Sequence, residues 1–122
     1  MVNAIIADDS KFMRKLIRKV LEKAGVTVIA EAENGQEAID YIKSFKPDLV
    51  ILDINMPVMD GLEVLKQISS FLKEKEPKII VLTAVNQSWA INEAVNLGVI
   101  GFIPKPFKPN QLLKVVKNAF NI

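Results

Sequence analysis

The sequence predicts an α/β fold in which helices cover both faces of a five-stranded parallel sheet. Five apolar segments alternate with five segments of helical periodicity, and strict alternation of this kind is typical of doubly wound sheets. The third apolar segment contains the uninterrupted run LVIL at residues 49–52, which indicates a strand buried on both faces. The 122 residues contain no internal repeat or linker-like segment. We therefore expect a single domain over residues 1–122.

The first two strand–helix units follow from their apolar periodicity. Residues 2–7 predict the first strand, and residues 10–24 predict the first helix, which Gly25 ends as a cap. Residues 26–32 alternate as a strand does, and residues 34–45 predict the second helix. The stripe of the first helix that should face the core comprises Phe12, Met13, Leu16, Ile17, Val20 and Leu21.

The other three units repeat this order. Residues 48–53 predict the third strand, and a loop from Met56 to Gly61 leads into the third helix, which Pro77 terminates at the latest. The apolar positions of that helix are Leu62, Val64, Leu65, Ile68, Phe71 and Leu72. The remaining predicted elements are a strand at 78–83, a helix at 88–97, a strand at 98–104 and a helix at 109–120.

The composition excludes several kinds of chemistry. The chain has no His and no Cys, so it cannot supply an imidazole base, a thiolate nucleophile or an ordinary zinc site. The net charge of +2, from 16 basic and 14 acidic residues, is too balanced to indicate nucleic-acid binding. No apolar run approaches the roughly 20 residues of a membrane span, and no signal-peptide pattern is present. We expect a soluble, cytoplasmic protein without membrane insertion.

Reactive side chains end or directly follow four of the predicted strands. They are Asp8-Asp9, Asp53, Thr83 and Lys105. Because the carboxyl ends of parallel strands gather at one edge of the sheet, these residues should converge in space. Each also has an ordinary structural explanation: turn chemistry for Asp53, helix capping for Asp9-Ser10, strand propensity for Thr83 and solvation for Lys105.

The chemistry of this edge favours a cation and phosphoryl transfer over a nucleotide. The loop after the first strand lacks a GxGxxG or GKT/GKS pattern, and its carboxylates would repel a nucleotide phosphate. Two carboxylates about 4 Å apart repel by roughly 4 kcal/mol at an effective dielectric near 20, so three of them need a proton or a cation. Oxygen ligands suit Mg²⁺ or Mn²⁺. With Lys105 and Thr83 nearby, Asp53 could act as a nucleophile and form an acyl phosphate.

These motifs together resemble a known family. The residues Asp8-Asp9, Asp53 within DINMPVMDG, Thr83-Ala84 and Lys105-Pro106-Phe107 are similar to the receiver domain of two-component response regulators, most closely the stand-alone chemotaxis regulators of CheY type. The resemblance covers essentially the whole chain. It implies a flavodoxin-like (βα)5 sheet with strand order 2-1-3-4-5.

The resemblance also implies roles at individual positions. Asp53 would accept a phosphoryl group, giving a 4-aspartylphosphate, from the phosphohistidine of a sensor histidine kinase or from a small acyl phosphate. Asp9 would bind Mg²⁺ directly, Asp8 mainly through water, and Asn55 through its backbone carbonyl. Thr83 and Lys105 would contact the phosphoryl group. The Lys105-Pro106 peptide bond would be cis.

The implied output is a conformational switch. Thr83 would move toward the phosphoryl group, and Phe102 would rotate inward and repack the face of the fourth helix, fifth strand and fifth helix. That face would bind a downstream protein, possibly in chemotaxis, and a phosphatase could be a further partner. We expect no output domain after Ile122, so any DNA-binding role would need a partner or a longer chain. The implied switch residue, Phe102, takes the place of the Tyr found in the best-known chemotaxis members of the family. Val85, near the acceptor, is apolar and cannot position water.

Two other functions compete with this interpretation. A haloacid-dehalogenase-type phosphatase also uses an Asp nucleophile with Mg²⁺, but in a D-x-D pattern after the first strand, where this chain has Asp8-Asp9. A phosphorylation-independent binding module is the second alternative. Two surface features each allow two interpretations. Trp89 could be exposed or core, and the basic side of the first helix could be a solvated face or a docking site. Its residues are Lys11, Arg14, Lys15, Arg18, Lys19 and Lys23.

Overall fold

Strands and helices alternate along the chain in a computed structural model that describes residues 1–71, 76–84 and 88–122. The strands are β1 (Asn3–Ala7), β2 (Thr27–Ala32), β3 (Leu49–Asp53), β4 (Lys78–Ala84) and β5 (Gly101–Lys105). The helices are α1 (Lys11–Lys23), α2 (Gly35–Phe45), α3 (Gly61–Phe71), α4 (Ser88–Asn96) and α5 (Pro109–Phe120). The predicted order of elements is confirmed, and each predicted element has its counterpart.

The five strands form one parallel sheet with the order β2-β1-β3-β4-β5. This is the order that the resemblance implied, and it places β1 and β3 side by side in the interior of the sheet. All five residues of β3 are buried, as its uninterrupted apolar run predicted. The parallel arrangement brings the carboxyl ends of β1, β3, β4 and β5 to the same edge.

Two apolar clusters lie on opposite faces of this sheet. One contains side chains of α2, α3 and α4, among them Ile39, Leu65 and Ala94. The other contains side chains of α1 and α5, among them Ile17 and Leu112. Because the helices are divided between the two faces, the predicted doubly wound architecture is confirmed.

Two predicted boundaries need correction. The fifth strand begins at Gly101 rather than at residue 98, because Gly98 has φ +90° and its N–H donates to the carbonyl of Val95 in a turn that ends α4. The cap of α1 is Ala24, and Gly25 follows it with φ +82°. In both places the glycine adopts the left-handed conformation just beyond a helix, which residues with a side chain rarely adopt.

The predicted buried stripe of α1 is wrong at its first residue. Phe12 is 77% exposed, whereas Arg14 is only 7% exposed. Ile17, Val20 and Leu21 are buried as predicted, and Met13 packs against the same cluster. Leu16 is only partly buried, on the same side of the helix as Phe12. The reason is that α1 turns Arg14 toward β2, where acidic side chains pair with it. Arg14 therefore does not belong to the solvated face that the run of basic residues suggested.

Trp89 is 63% exposed, which decides between the two locations left open by the sequence. Two predictions concern residues outside the described part of the chain, namely the place of Leu72 in the third helix and the effect of Val85 near the acceptor. Among the described residues, none of the helices combines the length and the apolar character that crossing a membrane would require.

Candidate functional site

Four strands deliver the predicted site residues to the carboxyl edge of the sheet. Asp53 is the last residue of β3, and Asp8 directly follows β1. In the pairing of β4 with β5, Thr83 lies opposite Pro104 and Ala84 lies opposite Lys105. Asp8, Asp53 and Thr83 are all buried. Residues separated by almost the whole length of the chain therefore meet at one place.

The ammonium of Lys105 joins two of the carboxylates. Its Nζ donates to Asp8 Oδ2 at 2.9 Å and to Asp53 Oδ2 at 3.1 Å. The remaining oxygens accept main-chain N–H groups: Asp8 Oδ1 from Ser10 at 2.9 Å, and Asp53 Oδ1 from Asn55 at 3.1 Å. Both buried carboxylates are thus held on both oxygens by groups of the protein itself.

The electrostatics of the site reflect this burial. Burial, the largest effect, raises the pKa of the Asp53 carboxyl; the charge of Asp8 also raises it, although the Asn55 N–H and the Lys105 ammonium oppose the shift. For Lys105, burial alone lowers the pKa, but the hydrogen bond to Asp8 and the negative charges of Asp53 and Asp8 outweigh it. The net effect is a raised pKa for the ammonium. Lys105 therefore stays charged and balances part of the acidic cluster.

The acidic cluster is suited to a metal ion. Carboxylate oxygens of Asp8, Asp9 and Asp53 lie within 4.8 Å of one another. Asp9 is exposed, whereas both oxygens of Asp8 already accept hydrogen bonds. A set of oxygen ligands open to water on one side fits a small divalent cation that keeps part of its hydration shell. The cluster could hold such an ion, and the predicted division between direct and water-mediated ligands stays a prediction.

The loop that follows Asp53 is held close to the acceptor by backbone contacts. The N–H of Gly61 donates to the carbonyl of Ile54 at 2.9 Å. A Cβ on Gly61 would lie 2.5 Å from the carbonyl oxygen of Asp53 and 2.8 Å from Cα of Ile54. Only glycine allows this approach. Val58, with φ +69°, stands in the γ-turn in which the N–H of Met59 donates to the carbonyl of Pro57.

Asn55 and Phe102 lie near the acidic cluster, and their roles stay predictions. Asn55 is exposed beside Asp53. Phe102 is half-buried and packs against the apolar cluster of α2, α3 and α4. Its position in β5 is opposite Val81 of β4, two residues before Thr83. The predicted cis peptide bond between Lys105 and Pro106 is confirmed.

One residue that touches the site, Arg14, is absent from the predicted set. The guanidinium of Arg14 donates from Nη1 to the main-chain carbonyl oxygen of Asp8 at 2.8 Å. A signal for its burial was available, because Arg14 precedes Ile17 and Leu21 by three and seven residues and so shares their side of the helix. Glu31 and Glu33 are two residues apart at the end of the second strand, so both can face the same side and pair with the positive charge of Arg14.

Comparison with known proteins identifies the class. The family model described as the response regulator receiver domain matches residues 4–117. The chain belongs to this family, and it is therefore a receiver domain of the two-component response regulators.

The relatives with similar sequences include several CheY proteins. The chain is 40% identical over 119 residues to the chemotaxis protein CheY of Listeria monocytogenes and to protein CcdB of Bacillus subtilis, covering 98% of both chains in each comparison. A solved structure of a CheX-CheY-BeF3-Mg²⁺ complex from Borrelia burgdorferi matches with a TM-score of 0.89 and 31% identity, covering 98% of this chain and 89% of that one. The chain is thus a response regulator receiver domain closely related to CheY.

Proposed function

We propose that this receiver domain is a phosphoacceptor that takes a phosphoryl group onto Asp53 with the help of Mg²⁺. The observation that carries the proposal is the position of Asp53. Its carboxylate is 3.1 Å from the Lys105 ammonium and shares a 4.8 Å cluster with Asp8 and Asp9. A nucleophilic carboxylate between a fixed cation and a metal-binding cluster suits phosphoryl transfer.

The proposed step exchanges one bond to phosphorus for another. An oxygen of the Asp53 carboxylate forms a bond to phosphorus, and the bond between phosphorus and the donor breaks. The donor is the imidazole nitrogen of a phosphohistidine on a sensor histidine kinase or the acyl oxygen of a small acyl phosphate. The product is a 4-aspartylphosphate. Lys105 and Thr83 then stabilise negative charge on the transferred group, the lysine by its ammonium and the threonine by its hydroxyl.

Asp8, Asp9 and Asp53 supply the carboxylates that would hold Mg²⁺, and the backbone carbonyl of Asn55 completes the proposed set. The bound ion would neutralise charge that develops on the phosphoryl oxygens. Mn²⁺ is an alternative with the same ligand preference. The solved relative that contains BeF3 and Mg²⁺ supports this proposal.

The proposed output is a change on the face formed by α4, β5 and α5. Movement of Thr83 toward the phosphoryl group would give Phe102 space to rotate inward, since Phe102 is half-buried against the cluster that contains α4. A downstream protein would read this face, in chemotaxis or in another pathway of the same kind, and a phosphatase would end the signal. We place the domain in the cytoplasm, over residues 1–122, without direct binding of nucleic acid.

Intact-mass measurement after incubation with acetyl phosphate and Mg²⁺ tests the acceptor. We expect the mass of one phosphoryl group to be added to the wild-type chain and not to the Asp53→Asn variant. The matched control is Asp60→Asn, an exposed acid in the same loop whose side chain caps α3 by accepting the N–H of Glu63. Asparagine can still serve as that cap, so this control should be labelled normally.

Loss of labelling in both variants would point to damage to the loop and not to loss of the acceptor. Persistent labelling of Asp53→Asn would overturn the proposal. If acetyl phosphate leaves the wild type unlabelled, the same mass measurement is repeated with a purified phosphohistidine kinase domain as donor. Catalytic turnover of a phosphate monoester, without a stable labelled chain, would instead support the phosphatase alternative.

A further inference from the structure

Arg14 is a buried cation that the proposed phosphoryl transfer does not use. Its side chain is 9% exposed and is surrounded by oxygen acceptors. Nε donates to Glu31 at 3.1 Å, Nη2 lies 3.5 Å from Glu33, and Nη1 donates to the carbonyl oxygen of Asp8 at 2.8 Å. A buried guanidinium is costly unless it is paired and hydrogen-bonded; here Nε and Nη1 donate hydrogen bonds, and Nη2 forms an ion pair with Glu33.

The carbonyl that Arg14 binds belongs to the peptide bond between Asp8 and Asp9. This bond is planar, so a hydrogen bond to its oxygen fixes the plane from which the backbone of Asp9 continues. The other polar atoms of Asp8 are also held. Its N–H donates to Ala32 at 3.0 Å, and its two carboxylate oxygens accept from Ser10 and Lys105. Asp9 itself is exposed, and its place depends on the backbone before it.

We propose that Arg14 is a positioning residue that presets the Asp8-Asp9 loop for a divalent cation. This inference rests on the proposed metal site and deepens it. Glu31, in β2, and Glu33, directly after β2, hold the guanidinium in place. The guanidinium in turn holds the loop through its hydrogen bond to the Asp8 carbonyl. The loop is thereby tied to a strand edge and not only to its own helix. Outer contacts of this kind orient metal ligands, and losing them typically costs about 10- to 100-fold in metal affinity.

A purely structural role for the same ion pairs is the competing explanation, and Arg18 separates the two. Arg18 also pairs with Glu31, at 2.7 Å, and its second ion pair in the described part of the chain is with Glu22 at 3.7 Å. Replacing either arginine removes a partner of Glu31. Replacing Arg14 also removes the hydrogen bond to the loop, so a loss specific to Arg14 variants reports on positioning.

The test measures the Mg²⁺ affinity of the complete chain by calorimetric titration, with wild type, Arg14→Met, Arg14→Lys and Arg18→Met compared at a temperature where all are folded. We expect Arg14→Met to raise the Kd for Mg²⁺ by about 10-fold or more. Arg14→Lys should raise the Kd by a smaller factor, because lysine keeps the positive charge. Its affinity should still be weaker than that of the wild type, since one ammonium cannot reproduce the planar fork that reaches both Asp8 and Glu31. Arg18→Met should stay near the wild-type affinity.

Amide hydrogen exchange in the metal-free state gives a second reading that does not depend on activity. Exchange of the Ser10 N–H, which donates to Asp8 Oδ1, should be faster in the Arg14 variants than in Arg18→Met. If Arg14→Met does not fold, the comparison of Arg14→Lys with Arg18→Met decides. Equal Mg²⁺ affinity in the Arg14 variants and wild type, or equal weakening in Arg18→Met, overturns the inference. A wild-type chain that binds no Mg²⁺ overturns the proposed function instead.

Discussion

At the scale of single residues, the site is a cluster of charges in which the carboxylates outnumber the ammonium that pairs with them. Lys105 supplies one positive charge to two buried carboxylates, and Asp9 adds a third, exposed negative charge. The excess of negative charge opposes folding, but it is also what would attract a cation. Replacement of the buried Asp53 is therefore expected to raise stability while it removes function.

Replacement of Asp53 by Asn should stabilise the metal-free protein at neutral pH. The pKa of Asp53 in the folded chain lies above the ordinary value of 3.8, so the contribution of this group to stability is complete below that value and is lost as the pH rises through the folded pKa. We expect a gain in the free energy of unfolding of about 1 kcal/mol at neutral pH. Urea unfolding at a series of pH values measures the gain, which should shrink in acid. A gain in stability that grows in acid would contradict a raised pKa for Asp53 in the folded chain.

Replacement of Lys105 by Met should have the opposite effect. The variant leaves the hydrogen bonds of Asp8 and Asp53 to the ammonium unmade, so we expect a loss of about 1–3 kcal/mol in the free energy of unfolding. Because the pKa of Lys105 is raised in the folded chain, its stabilisation is complete below the ordinary value of 10.5 and is lost as the pH rises through the folded pKa. Chemical denaturation of the variant and the wild type, with and without Mg²⁺, measures the loss in the free energy of unfolding. Added Mg²⁺ should stabilise the variant more than the wild type.

At the scale of elements, the close approach of α3 to the end of β3 positions the acceptor. Gly61 begins α3, and a side chain there would collide with the backbone of Asp53 and Ile54. A collision with backbone cannot be relieved by a side-chain rotation, so the helix or the strand end must shift. The geometry of the acceptor therefore depends on a residue that carries no chemistry.

The Gly61→Ala variant should lose about 1–3 kcal/mol of stability and also bind Mg²⁺ more weakly. The matched control is Gly25→Ala. Gly25 has φ +82° and open space around the added Cβ, so that variant should lose about 1 kcal/mol through backbone strain alone and keep its metal affinity. Thermal unfolding and calorimetric titration of both variants provide the comparison. Equal Mg²⁺ affinity in the two would show that the approach of α3 is not needed by the site.

The elements were predictable because each depends on short-range patterns. The apolar run of β3, the helical periodicity of α2 and the turn residues between them are visible along the chain. The rotation of α1 was not predictable from periodicity alone, since Phe12 and Arg14 flank the same stripe. Pairing of Arg14 with Glu31 on another element decided between them. Similarly, Gly98 could start a strand or end a helix, and the backbone conformation settled it.

At the scale of the whole molecule, the convergence of the site residues was predictable, whereas its contacts were not. Parallel strands bring Asp8, Asp53 and Lys105 to one edge by topology alone. That Lys105 bridges both carboxylates, and that Asp8 is held on both oxygens, depends on side-chain directions set by the packing of the sheet against helices on both faces. The roles in phosphoryl transfer came from the family resemblance and stay predictions for this chain.

A cation bound at this edge should stabilise the entire domain, because its ligands follow or end two adjacent interior strands. At a free Mg²⁺ concentration ten times the Kd, the expected gain in the free energy of unfolding is about 1.4 kcal/mol. Removal of Mg²⁺ with a chelator should reverse the gain. The Asp9→Asn variant serves as the control because Asp9 is exposed, so its loss should abolish most of the gain with little effect on the metal-free protein. Equal stabilisation of this variant would exclude Asp9 as a ligand.

The exposed position of Trp89 on α4 also gives the molecule a built-in optical reporter. It is the single tryptophan of the chain, and its indole is largely in water. Emission from a hydrated indole lies at long wavelength and moves to shorter wavelength when another surface covers the ring. Fluorescence of the unlabelled protein should therefore reveal when α4 becomes occupied, at concentrations far below those that structural methods need.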